Sequence, residues 1–303
     1  MGSGRAADSV RARYLVYFQY LGTDFNGVAA VRGTQRAVGV LNYLEEAAER
    51  LNSVLPVKFI ISSRTDAGVH ALSNAAHLDV QRRSGQPPFS PEVLTQALNT
   101  HLRHPAIRVL QAFRVPSDFH ARYAATSRTY LYRLATGCPG PSQLSVFERN
   151  RCWALRAERL QFWTLEFESQ SFLYRQVRRM TAILVAVGLG ALTPTQVKVI
   201  LESRDPLGRH QTRVAPAHGL FLKSVLYRDL EDLAARNPAS AQQESPALLG
   251  DFRPETSSAK AGGPESCLQR FQSCRPQVLC GVHGTEAAND PQRPANLRAA
   301  TAH

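Results

Sequence analysis

The residues best placed to do chemistry lie in one run, Ser62-Ser63-Arg64-Thr65-Asp66-Ala67-Gly68-Val69-His70-Ala71. Val57–Ile61, β-branched and aromatic, reads as a strand before it, and Asn74–Val80 alternates apolar and polar like a half-buried strand after it. Asp66 therefore sits in the connection leaving a buried strand, with Gly68 two residues on to let the backbone turn. Loops fixed between rigid strands are where chemistry is usually placed. Arg64, two residues earlier, lies on the same side of the chain if that stretch is still extended, close enough to hold Asp66 ionised. Taken alone, an Asp-x-Gly is also simply a turn.

Two further strings carry charge and rings at telling spacings. In Ser127–Arg133 the residues Arg128, Tyr130 and Tyr132 share one strand face, opposite Thr129, Leu131 and Arg133. Such a face is costly to bury in an apolar core and suits a groove where rings stack on bases and guanidiniums reach phosphates. Equally, tyrosines line cores with their hydroxyls at the rim. Arg175, Arg178 and Arg179 fall in the first turns of a helix whose apolar side is Val177, Met180, Ile183, Leu184 and Val187. The helix dipole disfavours cations there, so an anionic partner is expected, either phosphate or a carboxylate such as Asp66; the other reading is three solvated arginines.

The elements that must position these groups follow in order. Tyr14–Tyr20 is a strand, followed by a glycine-bearing loop and a helix from about Thr34 with Ala37, Leu41, Leu44, Ala48 and Leu51 on its apolar side. Ser90-Pro91 opens a second helix and Ile107–Val115 is a further strand. Strand–helix–strand–strand–helix–strand over the first 115 residues is the pattern of an α+β ferredoxin-like unit. A strand near Phe162–Phe167 precedes the arginine-bearing helix. Thr193-Pro194-Thr195-Gln196 is a capping box opening a short helix to about Ser203, and Gly219–Tyr227 is a closing strand.

Composition bounds the class. The 303 residues carry a net charge of +12, and residues 231–303 hold 7 basic and 8 acidic side chains, so the excess lies in the first 230. A compact body with that imbalance favours a polyanion as partner, most simply nucleic acid. Five cysteines without a C-x-x-C pair fit reduced thiols rather than a disulfide framework or zinc site. Met180–Leu192, the longest uncharged apolar run, is too short to span a bilayer. From about Glu231 the sequence turns rich in Ala, Ser, Pro, Gln and Gly with no sustained period, and 231–303 reads as a disordered tail. Residues 1–12, with Arg5 and Arg11 and a single acid, read as a flexible N-terminus compatible with a mitochondrial transit peptide; nuclear or cytoplasmic residence is the other expectation.

Arg64-Thr65-Asp66-Ala67-Gly68-Val69-His70, Asp118-Phe119-His120-Ala121-Arg122 and Phe172-Leu173-Tyr174-Arg175-Gln176-Val177-Arg178, with Tyr130-Leu131-Tyr132 and Ala217-His218-Gly219-Leu220, occur in an order that closely resembles the TruA family of tRNA pseudouridine synthases. The resemblance covers roughly residues 13–229. It implies an α+β pseudouridine synthase fold: two ferredoxin-like halves, 13–123 and 124–230, around a mostly antiparallel sheet with a central RNA-binding cleft. It implies isomerisation of uridine to pseudouridine in RNA, in tRNA or also messenger RNA, with no cofactor, no membrane and a two-fold assembly. Asp66 would be the catalytic aspartate, Tyr130 the ring that stacks on the target base and helps take up the proton, Arg178 the partner of the aspartate, and Arg64 its flanking residue. A non-catalytic RNA-binding protein that keeps the cleft is the alternative. Two departures stand out. Gly27 is followed by Val28-Ala29 where the family has Trp-Gln, and the chain passes directly from Leu160 to Gln161 where the family carries a helix, a loop and a strand. That gap, the mark of a shortened isoform, makes the second half incomplete and leaves apolar sheet surface wet.

Overall fold

Arg11–Tyr20 forms β1, a ten-residue strand that begins inside the segment expected to be a flexible N-terminus. It is anchored there because Arg11 and Arg13 both bind the Asp79 carboxylate, Arg13 Nε at 2.7 Å. Charge-assisted pairs of this kind fix the register of adjacent strands. The chain, seen in a computed structural model, is described at residues 10–33, 38–83, 85–138, 140–203, 214–228 and 282–284. Residues 1–9, the expected first helical turn at 34–37, and 231–303 apart from Val282–Gly284 lie outside the described residues.

The strands that follow are β2 (Ile60–Ile61), β3 (His70–Gln81), β4 (Ile107–Val115), β5 (Ala125–Thr136), β6 (Trp153–Leu155), β7 (Gln161–Ser169), β8 (Leu220–Tyr227) and β9 (Val282–Gly284). The helices are α1 (Val40–Glu49), α2 (Pro91–His101), α3 (Gln176–Gly188) and α4 (Pro194–Ser203). The strands make one sheet in the order β4-β1-β3-β8-β5-β7-β9, with β2 beside β3 and β6 beside β5. Each half has its first strand in the middle: β1 between β4 and β3, β5 between β8 and β7. All pairings are antiparallel except β5 with β6 and the one that joins the halves, His70–Ala71 of β3 alongside Phe221–Leu222 of β8. The main apolar core runs through both halves, from Tyr14, Phe18 and Leu78 to Tyr132, Leu222 and Val185, with a small second cluster of Ala135, Cys138, Leu144 and Cys152 beside it.

Local chemistry explains the helices of the first half. The Asn42 carboxamide oxygen accepts from Gly39 N and Val31 N, closing the start of α1, whose Val40, Leu41, Leu44, Ala47 and Ala48 are buried. Ser90 Oγ accepts from Val93 N at the start of α2, with Pro91 at the first helical position. The Asn99 side chain then exchanges two hydrogen bonds with the Val109 backbone, locking α2 onto β4.

The second half is more thinly covered. α3 buries Val177, Thr181, Ala182 and Val185, but Leu184 and Leu189 face solvent, and α4 buries no side chain. β2 flanks β3 in the first half, and in the second the matching open edge of β7 is taken by β9, whose Val282–Gly284 pair antiparallel with Trp163–Leu165. These three residues lie in the segment expected to be a disordered tail, and they pair here because an open edge offers unpaired N–H and C=O groups to any extended segment. The strand expected at Val57–Ile61 is a strand only at its last two residues.

Two histidines are structural. His77 is buried; its Nδ1 accepts from Ala121 N at 3.1 Å and burial, with Arg13 and His120 nearby, pushes its pKa down to about 4. In an unfolded chain the imidazole takes its proton near pH 6.5, so between pH 6.5 and 4 the unfolded state binds more protons. Folding stability should therefore be level above about pH 7 and fall as the pH drops through that window. His70 and His218, lowered in the same direction by burial, add to the slope. Urea midpoints at pH 7.5 and 5.0 measure it; equal midpoints would contradict a neutral buried His77.

Candidate active site

Asp66 lies where the two halves meet. The loop that carries it runs directly into His70 at the start of β3, and the parallel β3–β8 contact brings the segment preceding β8 alongside. Gly68, at φ +76°, turns the chain; a Cβ there would sit 3.4 Å from the Ala217 Cβ. Asp66 O accepts from Val69 N at 3.2 Å, closing the turn.

The loop is held from below and from the first loop of the chain. Asn74 Nδ2 donates to Ser63 O at 3.0 Å and to the Tyr20 hydroxyl, which bonds Thr65 Oγ1 at 2.8 Å. Val28 N donates to Thr65 O and Gly68 N to Phe25 O. Gly27 crosses the Asp66 loop at φ +92°, so a Cβ would stand 2.7 Å from Thr65 O and 3.4 Å from the Asp66 carbonyl carbon. Val28, where the resemblance led us to look for tryptophan, is fully buried against this loop. Gly27→Ala should therefore cost about 1–3 kcal/mol and lower turnover well beyond that loss of folded protein. Gly85→Ala, at φ +81° with nothing within 4 Å, isolates the backbone part. Thermal midpoints and initial rates of both variants check this; equal rates would mean that the crossing does not position Asp66.

The carboxylate meets the N-terminus of α3. Arg178 Nη1 donates to Asp66 Oδ2 at 2.8 Å, and Arg178 Nε donates to Ala215 O at 2.7 Å. Ala215 N in turn donates to Arg178 O. The guanidinium is thus fixed on both sides, with its side chain 12% and that of Asp66 28% exposed. Arg175 adds a second cation, Nε at 3.7 Å from the same Oδ2. These pairs offset the unfavourable placing of cations at a helix start. Arg179 Nε is the one buried side-chain donor among the described residues without an acceptor.

Tyr130 forms the floor. It is buried on β5, edge-on to Phe172 with ring centroids 5.3 Å apart. Burial pushes its phenol up to about 12; Arg128 and Ser63 pull it back, and the Asp66 charge raises it further. At neutral pH Tyr130 is a phenol, able to stack and to donate a hydrogen bond.

The other residues singled out in sequence divide. Arg64 is exposed and makes no hydrogen bond or ion pair among the described residues. The expected Arg64–Asp66 pairing is therefore corrected: the carboxylate is taken by Arg178 and Arg175 at the start of α3, while Arg64 faces solvent. The groove reading of Arg128 and Tyr132 is also corrected. Tyr132 is fully buried with its hydroxyl donated to Pro216 O at 2.7 Å. Arg128 is buried without a carboxylate; it donates to Ser63 Oγ, Ser62 O, Arg122 O and Gln170 O instead. Neutral acceptors in that number let the cation sit inside, and they tie the Asp66 loop to the segment before α3. Sequence reading also passed over His70. Its Nδ1 accepts from Gly22 N, so Nε2 carries the proton and donates to Asn150 O at 2.8 Å and His218 O at 3.2 Å. The fully buried imidazole of the Gly-Val-His string thereby joins three loops around the site.

Arg175 and Arg178 meet the one carboxylate at a partly exposed surface, with Arg64 exposed two residues before it in the chain and Arg179 next to Arg178 on α3. Two open surface grooves lie elsewhere, about 600 Å³ between α2 and β4 and about 410 Å³ beside Tyr43 and His104. An open, cationic cleft with a buried aromatic floor fits a polymer better than a small metabolite. Among the described residues no cluster of His, Cys, Asp or Glu could hold a metal ion, and no helix is long and apolar enough to cross a membrane. Cys138 and Cys152 are free and buried, and the other three cysteines lie outside the described residues.

A family model described as tRNA pseudouridine synthase matches residues 16–124 and 136–228. The chain is 67% identical over 287 residues to human tRNA pseudouridine synthase-like 1, covering 76% of this chain and 95% of that protein. The mouse protein of the same name is 66% identical over 284 residues, 75% of this chain and 98% of that protein. The tRNA pseudouridine synthase A of Caulobacter sp. (strain K31) is 32% identical over 258 residues, 71% of this chain and 98% of that protein. Since 76% of 303 residues is fewer than 287, the human alignment includes positions at which this chain supplies no residue.

Proposed function

The chain belongs to the tRNA pseudouridine synthase family, and on that premise we propose that it converts uridine to pseudouridine in tRNA with Asp66 as its catalytic carboxylate. The observation that carries the assignment of Asp66 is its ion pair with Arg178, at 2.8 Å, beside the buried Tyr130 ring in an otherwise cationic cleft. A protein that only bound RNA would gain nothing from a carboxylate there, where it repels phosphate.

The reaction breaks the N1–C1′ bond of uridine and forms C5–C1′; the proton leaving C5 is balanced by one gained at N1. Atoms and electrons therefore close without a redox partner or group donor. Asp66 acts on the sugar, as nucleophile at carbon or as base, and needs to be ionised, aimed and shielded from bulk water for either. Arg178 aims it through the second hydrogen bond to Ala215 O. Tyr130, held as a phenol, serves the flipped base by stacking and by donating a hydrogen bond rather than as a resting base. The surrounding arginines bind phosphates on either side of the target. Uridine in messenger RNA presents the same groups to this cleft.

The test uses the purified chain with an unmodified tRNA transcript, scoring pseudouridine by adduct formation and primer stops. Product that requires the protein and accumulates over many turnovers is the expected result. Binding without product would assign the cleft to RNA binding alone, the reading that the sparse cover of α3 and α4 favours.

A further inference from the structure

Phe172 and Tyr174 stand on one short turn before α3 and point to opposite fates. Phe172 packs against Tyr130 at the floor of the site, whereas Leu173 is 78% and Tyr174 67% exposed. Two large apolar side chains held in solvent at the mouth of a cationic cleft call for a ligand.

The turn that presents them is built rather than loose. Leu173 N donates to Gln176 Oε1 at 2.8 Å, and Gln176 N donates back to Leu173 O at 3.0 Å. Arg175 closes the turn at φ +57°, ψ +16°, a left-handed conformation that its side chain disfavours. The other non-glycine residues with positive φ, Asn52 and Asn150, are of a type that tolerates it. Strain of this kind persists where surrounding contacts over-determine it, and it concentrates at ligand sites.

That conformation gives Arg175 two contacts at once. Its Nε lies 3.7 Å from Asp66 Oδ2, and its guanidinium carbon lies 4.8 Å from the Tyr174 ring centroid. Asp66, Arg175 and Tyr174 therefore form one continuous line from the reacting position outward. No protein group among the described residues other than Arg175 is recorded against the Tyr174 ring, and its hydroxyl has no hydrogen-bond partner there.

We propose that Tyr174, backed by the Arg175 guanidinium, is a stacking platform for the unpaired base next to the target uridine. This deepens the reading above and rests on it for the identity of the polymer. A ring with a cation on one side keeps its other face for a base, and the cation is well placed for the adjoining phosphate. Stacking of this kind accepts any of the four bases. A target uridine turned out of its helix leaves a neighbour that needs a new surface, and the platform supplies it.

The experiment combines binding and turnover. A uridine-centred RNA heptamer with 2-aminopurine beside the uridine should lose fluorescence on binding the wild-type chain, and the quench should vanish in Tyr174→Ala while the heptamer still binds. With a tRNA transcript, Tyr174→Ala should raise KM about tenfold and move kcat less than about threefold. Tyr174→Trp should match wild type, whereas Tyr174→Leu should match alanine. Because Tyr174 is exposed, thermal midpoints of all three variants should stay within a few degrees of wild type. An undiminished quench in Tyr174→Ala, or a wild-type KM in Tyr174→Leu, would overturn the platform. The two readings fail separately: absence of product from the wild type, with the quench lost only in Tyr174→Ala, would remove the isomerase assignment and leave the platform standing.

Discussion

Replacing Asp66 with asparagine should lower pseudouridine formation by at least about a thousandfold while RNA binds as tightly as before or more so. The exchange keeps shape and volume, so the Val69 N–Asp66 O turn and the crossing by Gly27 stay in place. What disappears is the charge proposed above to act on the ribose. Arg178 retains its bond to Ala215 O, and Arg175 is partly solvated, so the freed cations do not unfold the loop. Removing the carboxylate that Arg175 and Arg178 share makes the site more positive, which is why affinity should rise rather than fall. Single-turnover rates and filter binding on the same preparations measure the two quantities. Turnover within tenfold of wild type would place the chemistry on another residue; affinity falling in step with rate would mean that Asp66 helps hold RNA and nothing more.

Much of the scaffold was legible because its signals are local. Ser90-Pro91 opens α2 and Thr193–Gln196 opens α4 by hydrogen bonds within four residues, and both helices begin where those residues stand. β4 keeps its expected limits at Ile107 and Val115. The features that were misread are those decided by distant partners. Arg11 and Arg13 pull the strand start forward because Asp79 waits on β3. The Arg128–Tyr130–Tyr132 face runs inward because carbonyls from Ser62, Arg122 and Gln170 satisfy the guanidinium, and no spacing in β5 announces them. The Arg64 error had a nearer cause. Its pairing with Asp66 rested on closeness along the chain, whereas the carboxylate is taken by Arg178 and Arg175 from the start of α3. The Arg178 partner, 112 residues away, was named by the family resemblance; the charge–dipole conflict at the start of α3 pointed only to an anion, phosphate or carboxylate. A residue set against a local preference was a better guide than one that merely lay close in sequence.

Arg178 is the second residue whose loss should be large, and the reason is geometric before it is electrostatic. Its guanidinium spans two fixed acceptors, Ala215 O at Nε and Asp66 Oδ2 at Nη1, and so sets where the carboxylate stands. An ammonium has no such fork, and Arg178→Lys could satisfy one acceptor only. We therefore expect Arg178→Lys to lose about a hundredfold in kcat with little change in KM, and Arg178→Met to lose somewhat more. Arg175, at 3.7 Å and more exposed, cannot take over, because its own position is bound to the turn at Leu173–Gln176. The decisive measurement is the Asp66→Asn/Arg178→Met double variant. If the arginine works through the aspartate, the double variant should be no slower than Asp66→Asn alone. Losses that multiply would give Arg178 an independent role on the substrate, and a wild-type kcat in Arg178→Lys would show that charge alone suffices to hold Asp66 in place.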